Sequence, residues 1–233
     1  MQFILEIGTL FLIFLLFRQA VVKAFPVHAV GLSLSEDSKA ALRKYRRRYL
    51  VLFWTSGITL TLLFTIGLYE LFFQLHSSGV EGQVLIIERT ALLLPSAVLG
   101  FLTGTFLSRW INSKMQADGL SFFFEEYHDE WKGFDTTKVR SWHIAGSLLI
   151  AGTILFTQYQ IFAIVNDDQI VWQTTPWELS QNSTEDIESI TPEPDNEFSI
   201  VFSSGDTLFT GRMGGNKVSF VNGIKKPRQK TGL

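Results

Sequence analysis

Long apolar stretches dominate the pattern of hydrophobic and polar positions in this chain. A helix needs about 20 mostly apolar residues to cross the hydrocarbon core of a bilayer. Four segments meet or approach that length, and they predict membrane-spanning helices over residues 3–24, 50–73, 86–108 and 142–165. The apolar run VLII at 84–87 is interpreted as an extension of the third helix past Glu88 and Arg89.

The first segment is interpreted as a retained helix rather than a cleaved signal peptide. No basic region precedes its apolar run at 3–17, and no small-residue cleavage site follows closely. The run is short for a spanning helix, but Arg18 and Lys23 can snorkel to the interface and so lengthen it.

Lys and Arg near the predicted helices indicate their orientation, because basic residues are enriched in cytoplasmic loops. Residues 18–49 hold eight of them and residues 109–141 hold five, whereas the residues before the first helix hold none. We therefore expect the loops 25–49 and 109–141 to be cytoplasmic and both termini to be extracytoplasmic.

The strongest basic cluster lies in residues 35–49, which are predicted as a short cytoplasmic helix running into the second spanning helix. Its members are Arg43, Lys44, Arg46, Arg47 and Arg48. We interpret the cluster as a topology signal, and the same side chains would suit anionic lipid headgroups. The loop 109–141 is interpreted as a folded loop that touches the membrane, because it carries several aromatic residues.

The composition changes after the fourth predicted helix. Residues 166–206 contain ten acidic and no basic residues, and short apolar runs between turn signals predict β-strands. Strands are expected at 159–163 running on into 169–174, and at 187–190, 198–203 and 207–211. A short helix or strand is predicted at 216–224, and a flexible tail at 225–233. The predicted fold class is α+β: a four-helix transmembrane bundle (1–165) and a small β-rich domain (166–224).

Part of the C-terminal segment resembles the bacterial PH-like modules that follow membrane helices in many uncharacterised bacterial proteins. The shared features are an acid-then-Ile turn, an aromatic position, an acid–acid–Ile element before a strand, and a strand–Gly-Asp–strand hairpin. They lie at Asp168 and Ile170, at Trp172, at Glu185, Asp186 and Ile187, and from Phe198 to Phe209. The resemblance covers residues 164–211, and it implies a scaffold rather than a reaction.

Composition and charge exclude several classes of protein. The chain has 233 residues, of which 46% are hydrophobic and only 18% are charged. A net charge of −2 gives no electrostatic case for binding nucleic acid. The absence of Cys excludes disulfides, thiolate metal sites and Cys nucleophiles. No cofactor is expected, and the expected location is a bacterial inner membrane.

A metal-like cluster lies in the loop 109–141. Glu125 and His128 have the i,i+3 spacing found in carboxylate-bridged dimetal bundles, and Glu126 lies beside them. Such a site needs a second Glu-x-x-His motif, which the sequence lacks. A solvated acidic turn is therefore the favoured interpretation.

Polar and small residues of the predicted helices form two further sets. Acids inside a bilayer are costly and often functional. The candidate intramembrane polar site consists of Glu6, Glu70, Gln158 and Gln160. Small residues allow helices to approach closely, and the candidates for helix packing are Gly57, Gly100, Gly104, Gly146 and Gly152.

These observations favour a non-enzymatic membrane component, such as an accessory, regulatory or immunity-type subunit that binds a protein partner or forms a homo-oligomer. Sequence motifs of known hydrolases, nucleotide-binding proteins and zinc proteases are absent from the chain. The alternative is a small oligomeric transporter or channel subunit that works through the polar set. A third hypothesis is a membrane-surface enzyme that uses Glu125, Glu126 and His128.

Overall fold

The computed structural model describes residues 16, 19–20, 22–26, 36–80, 82–114, 135–166, 168–211 and 213–228. These residues form an α+β structure of long helices, two antiparallel sheets and a short C-terminal helix. The long helices are α1 (Glu36–Ser77), α2 (Leu93–Lys114) and α3 (Thr136–Tyr159). Each belongs to a segment that is long and apolar enough to cross a membrane.

Three helices long and apolar enough to span a membrane are thus found among the described residues, where the sequence predicted four spans. The first predicted span, residues 3–24, lies mostly outside the described part of the chain; of it, residues 16, 19–20 and 22–24 are helical. The predicted helix at 35–49 is continuous with the second span, since both belong to the 42-residue helix α1.

The start of α3 is set by a capping residue. The backbone N–H of Lys138 donates to the Asp135 carboxylate at 2.9 Å, as is usual for Asp before the first turn of a helix. This hydrogen bond lowers the pKa of Asp135, and the Lys138 ammonium, 3.5 Å away, acts in the same direction. The helix therefore begins at Thr136, earlier than the predicted start at Trp142.

Two apolar runs that the sequence assigned to helices are strands. Residues 84–87 lie in β1 (Gln83–Ile87), and the last residues of the predicted fourth span form β2 (Phe162–Val165). The prediction of helix at these positions is wrong. A short apolar run that is buried in a sheet looks the same in sequence as the end of an apolar helix. A 3₁₀ turn at Arg89–Leu92 joins β1 to α2.

The remaining elements follow α3 and complete two antiparallel sheets. They are β3 (Gln169–Thr175), β4 (Glu178–Ser183), β5 (Ile187–Glu193), β6 (Glu197–Phe202), β7 (Thr207–Phe209), β8 (Met213–Gly214) and the helix α4 (Lys217–Arg228). The larger sheet has the strand order β4–β3–β2–β1–β8, and the smaller has the order β5–β6–β7.

Most of the predicted strands are confirmed with changed bounds. Those at 169–174, 187–190, 198–203 and 207–211 correspond to β3, β5, β6 and β7, the one at 159–163 is displaced to β2, and 216–224 is helical. β4 was missed because its sequence, ELSQNS, is mostly polar. Pro192 lies in β5, an edge strand that tolerates its missing N–H.

Strand β1 comes from the connection between α1 and α2, yet it lies inside the larger sheet. It pairs with β2, with Gln83 opposite Val165 and Ile86 opposite Phe162, and with β8 on its other side. The connection and the C-terminal strands therefore form one β domain, which consists of β1 and residues 162–228. The predicted domain boundary had left β1 and β2 with the helices.

The interior of the β domain is formed by both sheets and α4. The ring of Trp172 in β3 stacks on Phe202 in β6, with 4.8 Å between centroids. Leu85 of β1 and Phe220 of α4 are fully buried in the same cluster. A second buried cluster contains Tyr69, Phe72, Ile86, Ile87 and Leu92. Strand β1 contributes to both clusters and so connects the sheet to the adjoining helix ends.

The chain divides into two compact units. One contains residues 1–60 and 98–150, and the other contains residues 61–97 and 151–233. The second unit holds the β domain and the ends of the three helices next to it. The first unit holds the remaining parts of those helices.

In the first unit, α1 and α2 cross at small residues. A methyl group on Gly104 would lie 3.0 Å from the backbone nitrogen of Gly57, and a methyl group on Gly57 would overlap the ring of Phe101. The hydroxyl of Ser56 lies 3.2 Å from that of Ser108 at the same crossing. The two helices approach this closely because neither glycine carries a side chain.

Candidate functional site

The β domain has one end beside the helix ends and one end away from them. β2 begins just after Tyr159 and runs away from α3, whereas the antiparallel β1 runs back to Arg89 and α2. We call these the helix-proximal end and the distal end of the β domain. The strand register assigns each remaining loop to one of the two ends.

An ionic cluster lies at the helix-proximal end. Lys217, in the first turn of α4, has its Nζ atom 3.8 Å from Glu88 Oε1 and 3.7 Å from Glu197 Oε1. The Lys217 side chain is only 12% exposed. Glu88 also accepts a hydrogen bond from the Thr90 hydroxyl at 3.2 Å. The cluster therefore links α4, β6 and the residue that follows β1.

Glu70, a member of the predicted polar site, has a partner from the connection to α2. The Nη2 atom of Arg89 lies 3.4 Å from Glu70 Oε1, and the Arg89 guanidinium lies over the ring of Tyr69 at 4.4 Å. Both side chains of the ion pair are more than half exposed. An ion pair this exposed contributes little to the stability of the fold.

The two glutamines of the predicted polar site lie near the end of α3. Gln160 accepts a hydrogen bond from the Gln173 side chain at 3.2 Å, whereas Gln158 Oε1 is buried and has no hydrogen-bond partner among the described residues. Glu6 lies outside the described residues. Glu70 and Gln160 thus have different partners, and a joint role in a polar pathway stays a prediction.

An aromatic cluster joins the ends of α1 and α3. The His76 ring lies 4.6 Å from the ring of Tyr159 and 4.9 Å from that of Phe162, and Tyr159 also contacts Phe72 at 5.2 Å. His76 Nδ1 lies 2.9 Å from the carbonyl oxygen of Phe72. Aromatic rings with a polar tip are enriched where a spanning helix leaves the membrane.

Three loops meet at the distal end. The backbone N–H of Thr184 donates to the carbonyl of Asp168 at 3.0 Å, and that of Ser203 donates to the carbonyl of Asp186 at 2.8 Å. All five acidic residues that the structure describes here are exposed, and we call them the acidic tip: Asp168, Glu185, Asp186, Glu188 and Asp206.

The acidic tip is negatively charged and has no basic residue in its own stretch of sequence. Asn182 donates to the Asp206 carboxylate at 3.1 Å and Ser204 donates to it at 2.9 Å, and these two hydrogen bonds lower the pKa of Asp206. The sequence has no Lys or Arg between residues 166 and 206. The tip therefore presents fixed negative charge that is suited to a basic surface.

The predicted basic cluster lies in the first half of α1, as expected. Arg43, Lys44 and the following arginines are exposed or half-buried. An interaction with lipid headgroups stays a prediction.

Of the predicted packing glycines, the structure brings two together. Gly57 and Gly104 meet at the crossing of α1 and α2. Gly100 is buried in α2. A methyl group on Gly152 would have no atom within 4 Å, so this position in α3 has open space. Gly146 is half-buried in the same helix.

The predicted metal candidates Glu125, Glu126 and His128 lie outside the described residues. Within the ranges that the structure describes, no group of three or more His, Asp and Glu side chains is arranged to hold a metal ion. The loop 109–141, predicted to fold against the membrane, also lies mostly outside the described residues.

The residues of the ionic cluster are not among the sites that the sequence predicted. In the sequence, Glu88 only interrupts an apolar run, and Lys217 and Glu197 lie far from it. The adjacent pair Glu88 and Arg89 was the sequence signal that could have indicated this site. Two charges beside an apolar run are compatible with the end of a strand as well as with a continuing helix. The exposed Trp177 in the turn between β3 and β4 was missed as well.

Comparison with protein-family models, with curated proteins and with solved structures found no match to this chain.

Proposed function

We propose that this chain is a non-enzymatic multi-pass membrane protein whose β domain binds a protein partner through the acidic tip. The observation that supports this most directly is the geometry of the tip. Its exposed carboxylates come from three loops that hydrogen bonds hold together, in a stretch of sequence without basic residues.

The chemistry of the tip favours a partner with a Lys- or Arg-rich surface. Complementary charge speeds encounter and selects against acidic partners. Because the three loops are already tied to one another, binding would cost little loss of chain entropy in this domain. The proposed role is that of an accessory, regulatory or immunity-type component. Such a component contacts the lipid bilayer as well as its protein partner.

We also propose that residues 3–24 form a fourth spanning helix, so that both termini and the β domain are extracytoplasmic. The distribution of Lys and Arg supports this orientation. The pairing of β1 with β2 is compatible with it, because the connection between α1 and α2 and the C-terminal domain must then share one membrane face. The proposed location is a bacterial inner membrane. We also propose that the β domain is PH-like, with which two antiparallel sheets and a C-terminal helix are compatible.

Site-specific photocrosslinking in cells tests the role of the tip. A photoreactive amino acid is placed at Glu188, and the protein is purified through an affinity tag after irradiation. We expect a crosslinked product that is lost when Glu185→Lys and Asp186→Lys are combined. The matched control combines Glu178→Lys and Glu193→Lys, which reverse two exposed acids at the helix-proximal end.

The outcomes separate the proposal from its alternatives. Loss of the product in the tip variant, with retention in the control variant, supports binding of a basic partner by the tip. A product that survives tip reversal, or a product with twice the mass of the chain, contradicts it. A product with twice the mass of the chain would indicate that the distal end contacts another copy of the chain.

A further inference from the structure

Exposed apolar side chains of the β domain are concentrated at one end. Four large apolar residues in the described part of 162–228 are clearly exposed: Trp177 (86%), Leu179 (62%), Val218 (47%) and Phe209 (46%). Trp177 is the most exposed large apolar residue that the structure describes. A tryptophan so free of protein contacts is unusual in a domain that buries its other described tryptophan, Trp172.

The strand register places Trp177 at the helix-proximal end. Gln173 pairs with Phe162 at the start of β2, and its side chain donates to Gln160, the residue after α3. From there β3 continues to Thr175, which is roughly 7 Å farther at about 3.3 Å per residue. The turn at Pro176 and Trp177 therefore extends past the start of β2, at the end of the β domain where α3 meets β2.

The elements that carry the other two exposed residues, β7 and α4, place them at the same end. Phe209 pairs with Ser199, two residues from Glu197 of the ionic cluster. Val218 follows Lys217, which contacts Glu88 just before α2. All four exposed apolar residues thus lie toward the helices.

The end of the apolar part of α3 indicates where a membrane surface is expected. The apolar span of α3 ends at Tyr159, whose ring belongs to the aromatic cluster with His76 and Phe72. Trp and Tyr favour this level of a membrane because an apolar ring and a polar N–H or O–H can each find a suitable environment there.

We propose that the tip of the β3–β4 hairpin is a membrane-interface anchor, with Trp177 and Leu179 seated among the lipid headgroups of the bilayer that α3 crosses. The occupant is lipid because the hairpin tip lies at the helix-proximal end, where α3, a helix long and apolar enough to span the bilayer, enters the β domain. Glu178, between the two apolar residues, is exposed and stays on the water side. The anchor holds the β domain at a fixed height on the membrane, with the acidic tip directed away from it.

The absence of Cys makes a direct depth measurement simple. A single cysteine carrying a spin label is introduced by Trp177→Cys or by Leu179→Cys, and the full chain is reconstituted in phosphatidylcholine vesicles. The reference for lipid is Leu148→Cys in the middle of α3, and the reference for water is Glu185→Cys on the acidic tip. Accessibility to dissolved oxygen is compared with accessibility to a water-soluble nickel chelate.

We expect the oxygen-to-nickel accessibility ratio at 177 and 179 to be several-fold higher than at 185 and lower than at 148. Ratios at 177 and 179 that equal the ratio at 185 overturn the anchor. If the label at 148 also reports water, the span of α3 is wrong and the anchor is overturned with it. Trp177 is so exposed that its replacement should leave the fold intact, and circular dichroism of each variant checks this.

Discussion

The Nζ atom of Lys217 lies 3.8 Å from the Oε1 atom of Glu88, so the first turn of α4 contacts the residue that follows β1. Glu88 is also the last residue before the 3₁₀ turn that leads into α2. The same ammonium lies 3.7 Å from Glu197 at the start of β6. One largely buried cation therefore connects the C-terminal helix, the smaller sheet and the connection between two membrane helices.

This arrangement predicts energetic coupling between Lys217 and Glu197. We expect the variants Lys217→Met and Glu197→Gln to show a coupling energy of about 1 kcal/mol in a double-mutant cycle, because solvent screens a largely buried pair weakly. The measurement is the free energy of unfolding in detergent micelles. The control cycle pairs Lys217→Met with Glu178→Gln, which should be additive within about 0.5 kcal/mol. Equal coupling in both cycles contradicts the prediction.

The crossing of α1 and α2 predicts a strong difference between two glycines. Gly104→Ala places a methyl group 3.0 Å from the backbone of Gly57, which cannot move aside as a side chain can. We expect a loss of about 1–3 kcal/mol, which is typical of overpacking. Gly152→Ala is the control, since its methyl group meets open space and alanine favours helix. Thermal unfolding in micelles compares the variants, and similar melting temperatures would show that the crossing is not close-packed.

The hydrogen bonds to Asp206 predict how its titration responds to mutation. Its pKa is lowered first by Asn182 and then by Ser204, so the stabilisation is present above the usual Asp pKa of about 3.9 and is lost as the pH falls through the lowered value. Asn182→Ala should raise the pKa of Asp206 toward the usual value. NMR of the carboxyl carbon during an acid titration measures this. Gln181→Ala, which removes a bond only to Gln169, should leave the titration unchanged.

The membrane helices were predictable because their signal is local. Each of the three described spans is a long apolar run, and length alone separates such a run from most other structures. The start of α3 at Thr136 was less predictable, because capping by Asp135 extends the helix beyond its apolar part.

The place of β1 in the sheet was not predictable from local sequence. Residues 84–87 are all apolar, because Leu85 is buried in the β domain while Ile86 and Ile87 pack against the helix ends. A strand that is buried on both faces lacks alternation, and so it was interpreted as helix. The ionic cluster depends on the position of β1, because Glu88 follows that strand. The acidic tip depends on the register of the C-terminal strands, which brings three loops together.

The central claim is that β1 belongs to the same β domain as the C-terminal strands. Disulfide trapping tests this claim most directly. Val84 lies opposite Ile164 in neighbouring antiparallel strands, a spacing of about 4.5–5.5 Å between Cα atoms that a disulfide can bridge. The natural chain has no Cys to compete. We expect the pair Val84→Cys and Ile164→Cys to form a disulfide in membranes under mild oxidation.

The control pair is Val84→Cys and Gln181→Cys, which lie in the same row of the sheet but three strands apart, at roughly 14 Å. Cleavage by a protease at a site engineered near residue 119 separates the two halves of the chain, so the disulfide is read as a shift in mobility that reductant reverses. Efficient crosslinking of the first pair and little of the second is the predicted result. No crosslinking of Val84→Cys with Ile164→Cys, in protein that spans the membrane normally, would contradict the shared β domain.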